Sequence, residues 1–332
     1  MKTLIALIAV VLFAAACSSG GGRTPPPLAT ATPTPPAQAS APIAAANAAR
    51  LQQVTAFTLP GAQAIVWSVT SDAVFVASRT AVIELPASGG QGRQVAAVAS
   101  PEAVLSVSAL GQAATSADGR EIEVHAERDT AVAQTIDAGT QVADARFSPD
   151  GKLLVLTRYD KTAADLWDLR TGRMVKELTG FQTAAPVYDA RFSSDGKSLV
   201  YVSRATVQLQ DVASGQIGPR LSHDDFVSDV AVSPDGTTVA TSLARRVQLW
   251  PAATGAQPAV LDQPGAALGV AFSPDGSLLA VATEDGVVIW DLASRQQLAK
   301  VGQPASAAAF SPDGRSLAVL GRDGTVTVWQ AR

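Results

Sequence analysis

Cysteine, histidine and aromatic side chains are all scarce in this sequence of 332 residues. It has one cysteine, Cys17, and two histidines, so an intramolecular disulfide and a thiolate metal cluster are both excluded. Aromatic residues make up 5% of the chain and charged residues 16%, and the net charge of −4 argues against a general nucleic-acid binder, which needs a basic face. What remains is an apolar chain with many Gly and Pro residues, which favours short strands joined by tight turns.

The chain begins with the features of an export signal. Lys2 gives a short positive start, residues 4–16 form an apolar run too short to span a bilayer comfortably, and three alanines precede Cys17. This ending resembles a bacterial lipobox, although Ala14 occupies a position where leucine is usual. The resemblance implies that residues 1–16 are a signal peptide, that cleavage precedes Cys17 and that a lipid is attached to its sulfur. The alternative is an ordinary signal peptide followed by an incidental cysteine.

Residues 17–50 are predicted to form a lipidated tether rich in Pro, Ala and Thr. Repeated proline in residues 24–36 removes backbone donors and favours extended polyproline II, so this segment cannot build a core. We therefore expect the folded domain to cover residues 51–332. A lipid on Cys17 would hold that domain in the cell envelope, on the extracytoplasmic side of a bacterial membrane.

A five-residue motif recurs at intervals of about 40 residues. Phe-Ser-Pro-Asp-Gly, or a close variant, begins at residues 147, 192, 232, 272 and 310. It predicts a tight turn, because Pro presets φ, Asp bonds to nearby backbone and Gly takes the last position freely. Earlier in the chain, Val107-Ser108 and Trp67-Ser68 keep the large apolar residue and the serine at the same spacing. The chain therefore contains seven repeats.

Each repeat is predicted to form four antiparallel strands. Four strands in about 40 residues are typical of one blade of a β-propeller, so the fold class is all-β and the architecture a seven-bladed propeller. The last repeat lacks a fourth strand, whereas residues 53–59 form a spare strand before the first repeat. Pairing this N-terminal strand with the strand of Trp329 would close the ring and cover two sheet edges.

Tryptophan recurs at the end of the predicted third strand, as Trp167, Trp250, Trp290 and Trp329, and aspartate follows the first and third of these. With the Ser-Pro-Asp-Gly turns, this pattern resembles WD40 repeats over residues 51–332. The family's Gly-His position is matched only by His223, so its buried His–Ser/Thr–Asp–Trp network is incomplete in most repeats. The resemblance implies a platform that binds proteins or other ligands.

Neither histidine indicates catalysis. His125 occupies the tryptophan position of its repeat, and His223 matches a structural position of WD40 repeats. The sequence shows no Ser-His-Asp arrangement, histidine cluster or Gly-rich phosphate loop, so we expect no catalytic residue, metal site or cofactor. The alternatives are a propeller enzyme, such as a hydrolase or lyase, and an envelope assembly factor resembling TolB-type propellers, because a fold does not determine a function.

Arginine recurs in one type of loop. In six repeats it lies 11–13 residues after the first residue of the repeat, between the second and third strands; the six are Arg79, Arg120, Arg158, Arg204, Arg245 and Arg322. Equivalent propeller loops share one face, here the face opposite the Ser-Pro-Asp-Gly turns, so this rim could bind an acidic protein segment or an anionic envelope ligand. Alternatively, each arginine is solvated or pairs locally, for example with Asp144, Asp189 or Asp229.

Overall fold

The computed structural model describes residues 41–97, 104–159, 163–179, 187 and 189–331. Within these ranges the chain forms seven four-stranded antiparallel sheets and one short 3₁₀ helix, Ala48–Arg50. Each sheet is one blade, and the blades follow one another in chain order. The predicted all-β, seven-bladed propeller with four antiparallel strands per blade is confirmed.

The strands are numbered in chain order. The first is β1 (Leu51–Thr58), which belongs to blade 7. Blade 1 contains β2 (Ala62–Trp67), β3 (Ala73–Ser78), β4 (Ala81–Pro86) and β5 (Arg93–Ala97). Blade 2 contains β6 (Val104–Val107), β7 (Ala113–Thr115), β8 (Glu121–His125) and β9 (Val132–Asp137). Blade 3 contains β10 (Val142–Phe147), β11 (Leu153–Arg158), β12 (Ala164–Asp168) and β13 (Arg173–Leu178). Blade 4 contains β14 (Asp189–Phe192), β15 (Ser198–Ser203), β16 (Thr206–Asp211) and β17 (Ile217–Ser222). Blade 5 contains β18 (Val227–Val232), β19 (Thr238–Leu243), β20 (Arg246–Pro251) and β21 (Ala259–Asp262). Blade 6 contains β22 (Ala267–Phe272), β23 (Leu278–Thr283), β24 (Gly286–Asp291) and β25 (Gln296–Val301). Blade 7 is completed by β26 (Ala305–Phe310), β27 (Ser316–Gly321) and β28 (Thr325–Ala331).

The hydrophobic core lies between neighbouring blades. The first strand of each blade is innermost, and at several junctions it contacts the first strand of the next blade, as β18 contacts β22 and β22 contacts β26. Apolar side chains of facing sheets interdigitate, for example Val247 of blade 5 with Leu279 of blade 6. Polar contacts add to this packing, since the Trp67 indole Nε1 donates to the Ala309 carbonyl oxygen of blade 7 at 2.8 Å.

The ring closes through the N-terminal strand, as the sequence predicts. Strand β1 pairs antiparallel with β28, from Leu51 opposite Ala331 to Thr58 opposite Thr325. Phe57 of this strand is 1% exposed and packs in one apolar cluster with residues of blades 1 and 7. The outermost strand of the last blade therefore comes from the other end of the chain, and β28 has a partner on each side.

Residues just before β1 also pack on the propeller. The Ile43 backbone N–H donates to the Gly314 carbonyl oxygen at 2.8 Å, and the Ile43 side chain is 2% exposed. Ala48 is fully buried in the same apolar cluster, together with Phe310. Within the described residues, packing thus extends at least eight residues before the expected boundary at residue 51. Because Gly314 lies in the turn between β26 and β27, the chain reaches the propeller on the face of the Ser-Pro-Asp-Gly turns.

Candidate functional site

The turns between first and second strands share one hydrogen-bond pattern. In each Ser-x-Asp-Gly turn, the serine hydroxyl donates to an aspartate oxygen two residues later and accepts from a backbone N–H five residues later. The Ser-to-Asp distances are 2.7 Å for Ser148, 2.6 Å for Ser193, 2.5 Å for Ser233, 2.6 Å for Ser273 and 2.6 Å for Ser311. These aspartates are therefore turn-forming groups, as the motif predicts. We call this side of the propeller the Ser-Asp face.

Blades 1 and 2 keep the serine and move its acceptor. The Ser68 hydroxyl donates to Asp72 at 2.6 Å, and the Ser108 hydroxyl donates to the Gln112 side chain at 3.1 Å, in both cases four residues later. The degenerate turns thus retain the contact that the regular motif makes. The serine hydrogen bond also lowers the pKa of Asp72 below its usual value, as the equivalent bonds do for Asp150, Asp195 and Asp235.

Blade 5 contains a partial WD40 hydrogen-bond network. His223 Nε2 lies 3.0 Å from the Thr241 hydroxyl, which also accepts from the Trp250 indole Nε1 at 3.2 Å. The His223 and Trp250 rings meet edge to face, with centroids 5.0 Å apart. Burial lowers the pKa of His223, so the neutral ring is favoured. This histidine therefore holds strands together, as its sequence position implies.

Other blades use different side chains in the same places. In blade 6, Gln263 lies 40 residues after His223 and accepts from the Trp290 indole at 3.3 Å. In blade 2, His125 is 3% exposed, and its Nε2 lies 3.0 Å from the Thr115 hydroxyl. The other nitrogen of His125 lies 3.0 Å from the Thr130 carbonyl oxygen. Both histidines are thus occupied by structural hydrogen bonds, which is the role expected for them.

Five of the six rim arginines lie in exposed turns between second and third strands. Because each blade is antiparallel, these turns share the face opposite the Ser-Asp face, which we call the arginine face. The five are Arg79, Arg120, Arg204, Arg245 and Arg322.

Arg158 differs from the other five. It is the last residue of β11 instead of a loop residue, and its side chain is 9% exposed. Its guanidinium lies 3.0 Å from an Asp165 oxygen and 3.4 Å from a Glu177 oxygen, both on neighbouring strands of blade 3. Arg158 thus neutralises the buried Asp165, which is 2% exposed, and is not presented to a partner.

Two of the exposed arginines are bound to loops of blade 6. The Arg245 guanidinium donates to the Pro264 carbonyl oxygen, and that of Arg322 lies 3.6 Å from a carboxylate oxygen of Glu284. Blade 6 is the repeat in which the sequence has this glutamate in place of arginine. Among the described residues, by contrast, the side chains of Arg79 and Arg120 form no ion pair. Arg120 nevertheless shares its turn with Asp118, whose pKa is lowered by hydrogen bonds from the backbone of Arg120 and Glu121 and further by the charge of Arg120.

The inner-strand aspartates form ion pairs with arginines of the inner strands. Asp144, Asp189 and Asp229 were considered above as local partners of Arg158, Arg204 and Arg245. Asp144 and Asp189 instead form ion pairs with the arginines two residues later on their own strands, Arg146 and Arg191. Asp229 pairs with Arg191 of the neighbouring blade. Arg146 and Arg191 are not among the site residues expected from the sequence, although the Asp-x-Arg pattern on two successive inner strands marks them.

The described residues contain no group of three or more His, Cys, Asp or Glu side chains placed to hold a metal ion. Those same residues form no helix with the length and hydropathy of a bilayer-spanning segment. Cys17 and the predicted signal peptide lie outside the described residues, as does the tether up to residue 40.

Comparison with known families identifies the repeats. The family profile described as WD domain, G-beta repeat matches residues 217–251, 259–291 and 299–330. Each match starts in the outer strand of one blade and ends in the third strand of the next, so a sequence repeat spans two blades. No curated protein sequence matches the chain. The protein is a seven-bladed β-propeller with WD40 repeats in three places.

Proposed function

We propose that this protein is an interaction platform, lipid-anchored through Cys17 on the extracytoplasmic side of a bacterial membrane, whose arginine face binds an acidic protein segment. WD40 propellers generally bind other proteins, and they typically act as scaffolds without enzymatic activity. The anchor is supported by the position of Cys17, which follows an apolar run and three alanines.

The observation that carries the proposal is the recurrence of exposed arginine in equivalent turns of five blades. A guanidinium presents a planar fork of donors that suits carboxylates, and several on one face create a local positive potential although the whole chain is acidic. Arg79 and Arg120 make no ion pair within the described part of the chain, so they can bind a partner without first breaking one. Arg204 adds a third exposed cation on blade 4.

Binding to a fluorescent poly-glutamate peptide tests the face. Replacing Arg79, Arg120 and Arg204 together by alanine should weaken binding about tenfold, since exposed ion pairs contribute roughly 0.2–1 kcal/mol each and about 1.4 kcal/mol is tenfold. The wild-type affinity should fall as salt rises, because exposed charges are screened over about 8–10 Å.

The matched control removes three cations from the Ser-Asp face. Lys152, Lys197 and Arg315 are exposed there, and their triple alanine variant has the same net charge as the arginine variant. It should bind the peptide like the wild type. Equal weakening in both variants would show that only total charge matters and would reject the arginine face. Binding to phosphatidylglycerol vesicles but not to the peptide would replace the protein partner with a lipid.

The anchor is tested separately by mass spectrometry of the mature protein. We expect an N-terminus at Cys17 that carries the mass of attached acyl chains, and a Cys17→Ser variant that leaves the detergent phase. An unmodified N-terminus at another residue would reject the lipoprotein assignment and leave the binding face untouched.

A further inference from the structure

The innermost strands of blades 3, 4 and 5 carry charged side chains. Asp144 and Arg146 lie on β10, Asp189 and Arg191 on β14, and Asp229 on β18. Residues two apart on a strand share a face, so each arginine lies beside the aspartate of its own strand. The aspartate side chains are 14–15% exposed, and those of the arginines are 32–34% exposed. We call these five residues the inner-strand charge network.

Acids and bases alternate along this network. Arg146 Nε lies 3.2 Å from Asp144 Oδ2 and 3.8 Å from Asp189 Oδ1, so it bridges blades 3 and 4. Arg191 bridges blades 4 and 5 in the same way, with Nη2 2.8 Å from Asp189 Oδ2 and Nη1 bonded to Asp229 Oδ1. Every neighbouring pair of these blades is therefore joined by one guanidinium.

Backbone groups bind both ends of the network. The Arg146 guanidinium donates to the Leu105 carbonyl oxygen of blade 2 at 3.2 Å, and Asp229 Oδ2 accepts from the Val270 N–H of blade 6 at 2.8 Å. The network therefore connects five consecutive blades. Both carboxylate oxygens of Asp229 accept a hydrogen bond. At the other end of the network, Asp144 Oδ2 accepts none.

Three carboxylates and two guanidiniums leave one negative charge uncompensated. Two carboxylate oxygens, Asp144 Oδ2 and Asp189 Oδ1, are inaccessible to solvent and receive no hydrogen bond. A buried acceptor without a donor is costly, and two carboxylates that share a buried site do not both ionise readily. A single proton between these two groups would supply the missing donor and neutralise the extra charge together.

We propose that Asp144 and Asp189 share one bound proton, carried on Asp144, and that release of this proton weakens the junction between blades 3 and 4. Burial, opposed by Arg146 and reinforced by the charge of Asp189, raises the pKa of Asp144 to about 8. Burial also acts to raise the pKa of Asp189, but Arg191 and Arg146 outweigh it and the pKa is lowered. The proton thus resides on the carboxyl group with fewer guanidinium contacts.

The surroundings of Asp144 offer no other titratable partner among the described residues. Of the strands packed against β10, β6 has no charged residue and β14 contributes Asp189 and Arg191. Strand β11 contributes only Arg158, which is paired with Asp165. The proton balance of this site is therefore set by the five residues of the network.

The sign of the pH dependence follows from the proton count. Between the ordinary aspartate pKa of 3.8 and about 8, the native protein holds one proton more on Asp144 than the unfolded chain does. Stability then falls as pH rises, and the unfolding equilibrium constant increases by up to tenfold per pH unit from this site. Above about pH 8 the contribution levels off, because Asp144 is ionised in both states.

Two measurements test the proposal. In the wild type, carboxyl ¹³C NMR should show Asp144 titrating near pH 8, and urea unfolding should show the decline in stability from pH 5 to 8. Asp144→Asn replaces the protonated carboxyl with an amide that can donate to Asp189, so this variant should lack that part of the decline. The ratio of wild-type to variant unfolding constants should rise by at least tenfold over this range.

Asp229→Asn is the matched control, because it makes the same change at the equivalent position of blade 5, where both oxygens already have donors. It should lower stability at every pH and keep the wild-type slope. Titration of Asp144 at the ordinary aspartate value would overturn the proposal even if the variants failed to fold. Parallel pH profiles of wild type and Asp144→Asn would overturn it as well.

Discussion

Replacing Phe57 by alanine should show how strongly the N-terminal strand holds the ring closed. Phe57 is 1% exposed, and it packs with residues of both blades that the closure joins. A buried phenylalanine removes roughly 150 Å² of surface from water, which at about 25 cal/mol per Å² corresponds to about 4 kcal/mol. Phe-to-Ala substitutions in cores cost about 3–5 kcal/mol, so we expect a loss near 4 kcal/mol in the free energy of unfolding.

The control is Gln53→Ala on the same strand. Gln53 is exposed and pairs opposite Trp329 through the backbone, so its truncation should change stability by no more than about 0.5 kcal/mol. Urea unfolding followed by near-ultraviolet circular dichroism compares the two variants, and sedimentation velocity checks for association through the loosened edge of β28. If Phe57→Ala were as stable as Gln53→Ala, the strand would not be an integral part of blade 7.

Three further predictions concern a turn and the network of blade 5. Gly324→Ala should cost more stability than Gly61→Ala, because both glycines have φ +82° but only the first added Cβ would clash with a backbone carbonyl; thermal melts compare them. Thr241→Val should cost about 1–3 kcal/mol in urea unfolding, since two buried groups lose their hydroxyl partner. Burial lowers the pKa of His223, so the contribution of this residue to stability should be lost as pH drops below about 6.5; between melts at pH 7 and pH 5 the wild type should therefore lose stability relative to His223→Gln.

The architecture could be predicted from the sequence because its turns are local structures. Serine and aspartate two residues apart form a hydrogen bond within the turn. The turn can therefore be predicted from its own residues, without the rest of the fold. Ser68 and Ser108 mark the two degenerate blades for the same reason. The shift of the acceptor to Asp72 and Gln112 could not be predicted, since either geometry is compatible with the spacing.

The burial of Arg158 depends on strand register, which the repeat spacing does not contain. Arg158 lies 11 residues after the first residue of its repeat, whereas the other five arginines lie 12 or 13 residues after theirs. This shorter spacing places Arg158 on a strand, where it contacts carboxylates of β12 and β13. The packing of Ile43 was missed because the surrounding Pro and Ala residues dominate the composition. For the inner-strand charge network, the pattern was readable, since Asp-x-Arg occurs in two successive repeats at the same position. Its meaning appears only when neighbouring blades bring the two pairs together.

Closure by β1 also sets the order of events during synthesis. Leu51 is made about 280 residues before its partner Ala331, which at 5–20 residues per second is roughly 15–60 s. Throughout that interval the partner strand of β1 does not yet exist. Bringing the two ends of the chain together also costs more loop-closure entropy than forming a local hairpin does. Gln52 and Gln53 are exposed on β1. They make part of the unpaired strand polar, which disfavours its pairing with other chains. The last blade should consequently be the slowest to form, and its completion should limit the rate at which the propeller folds.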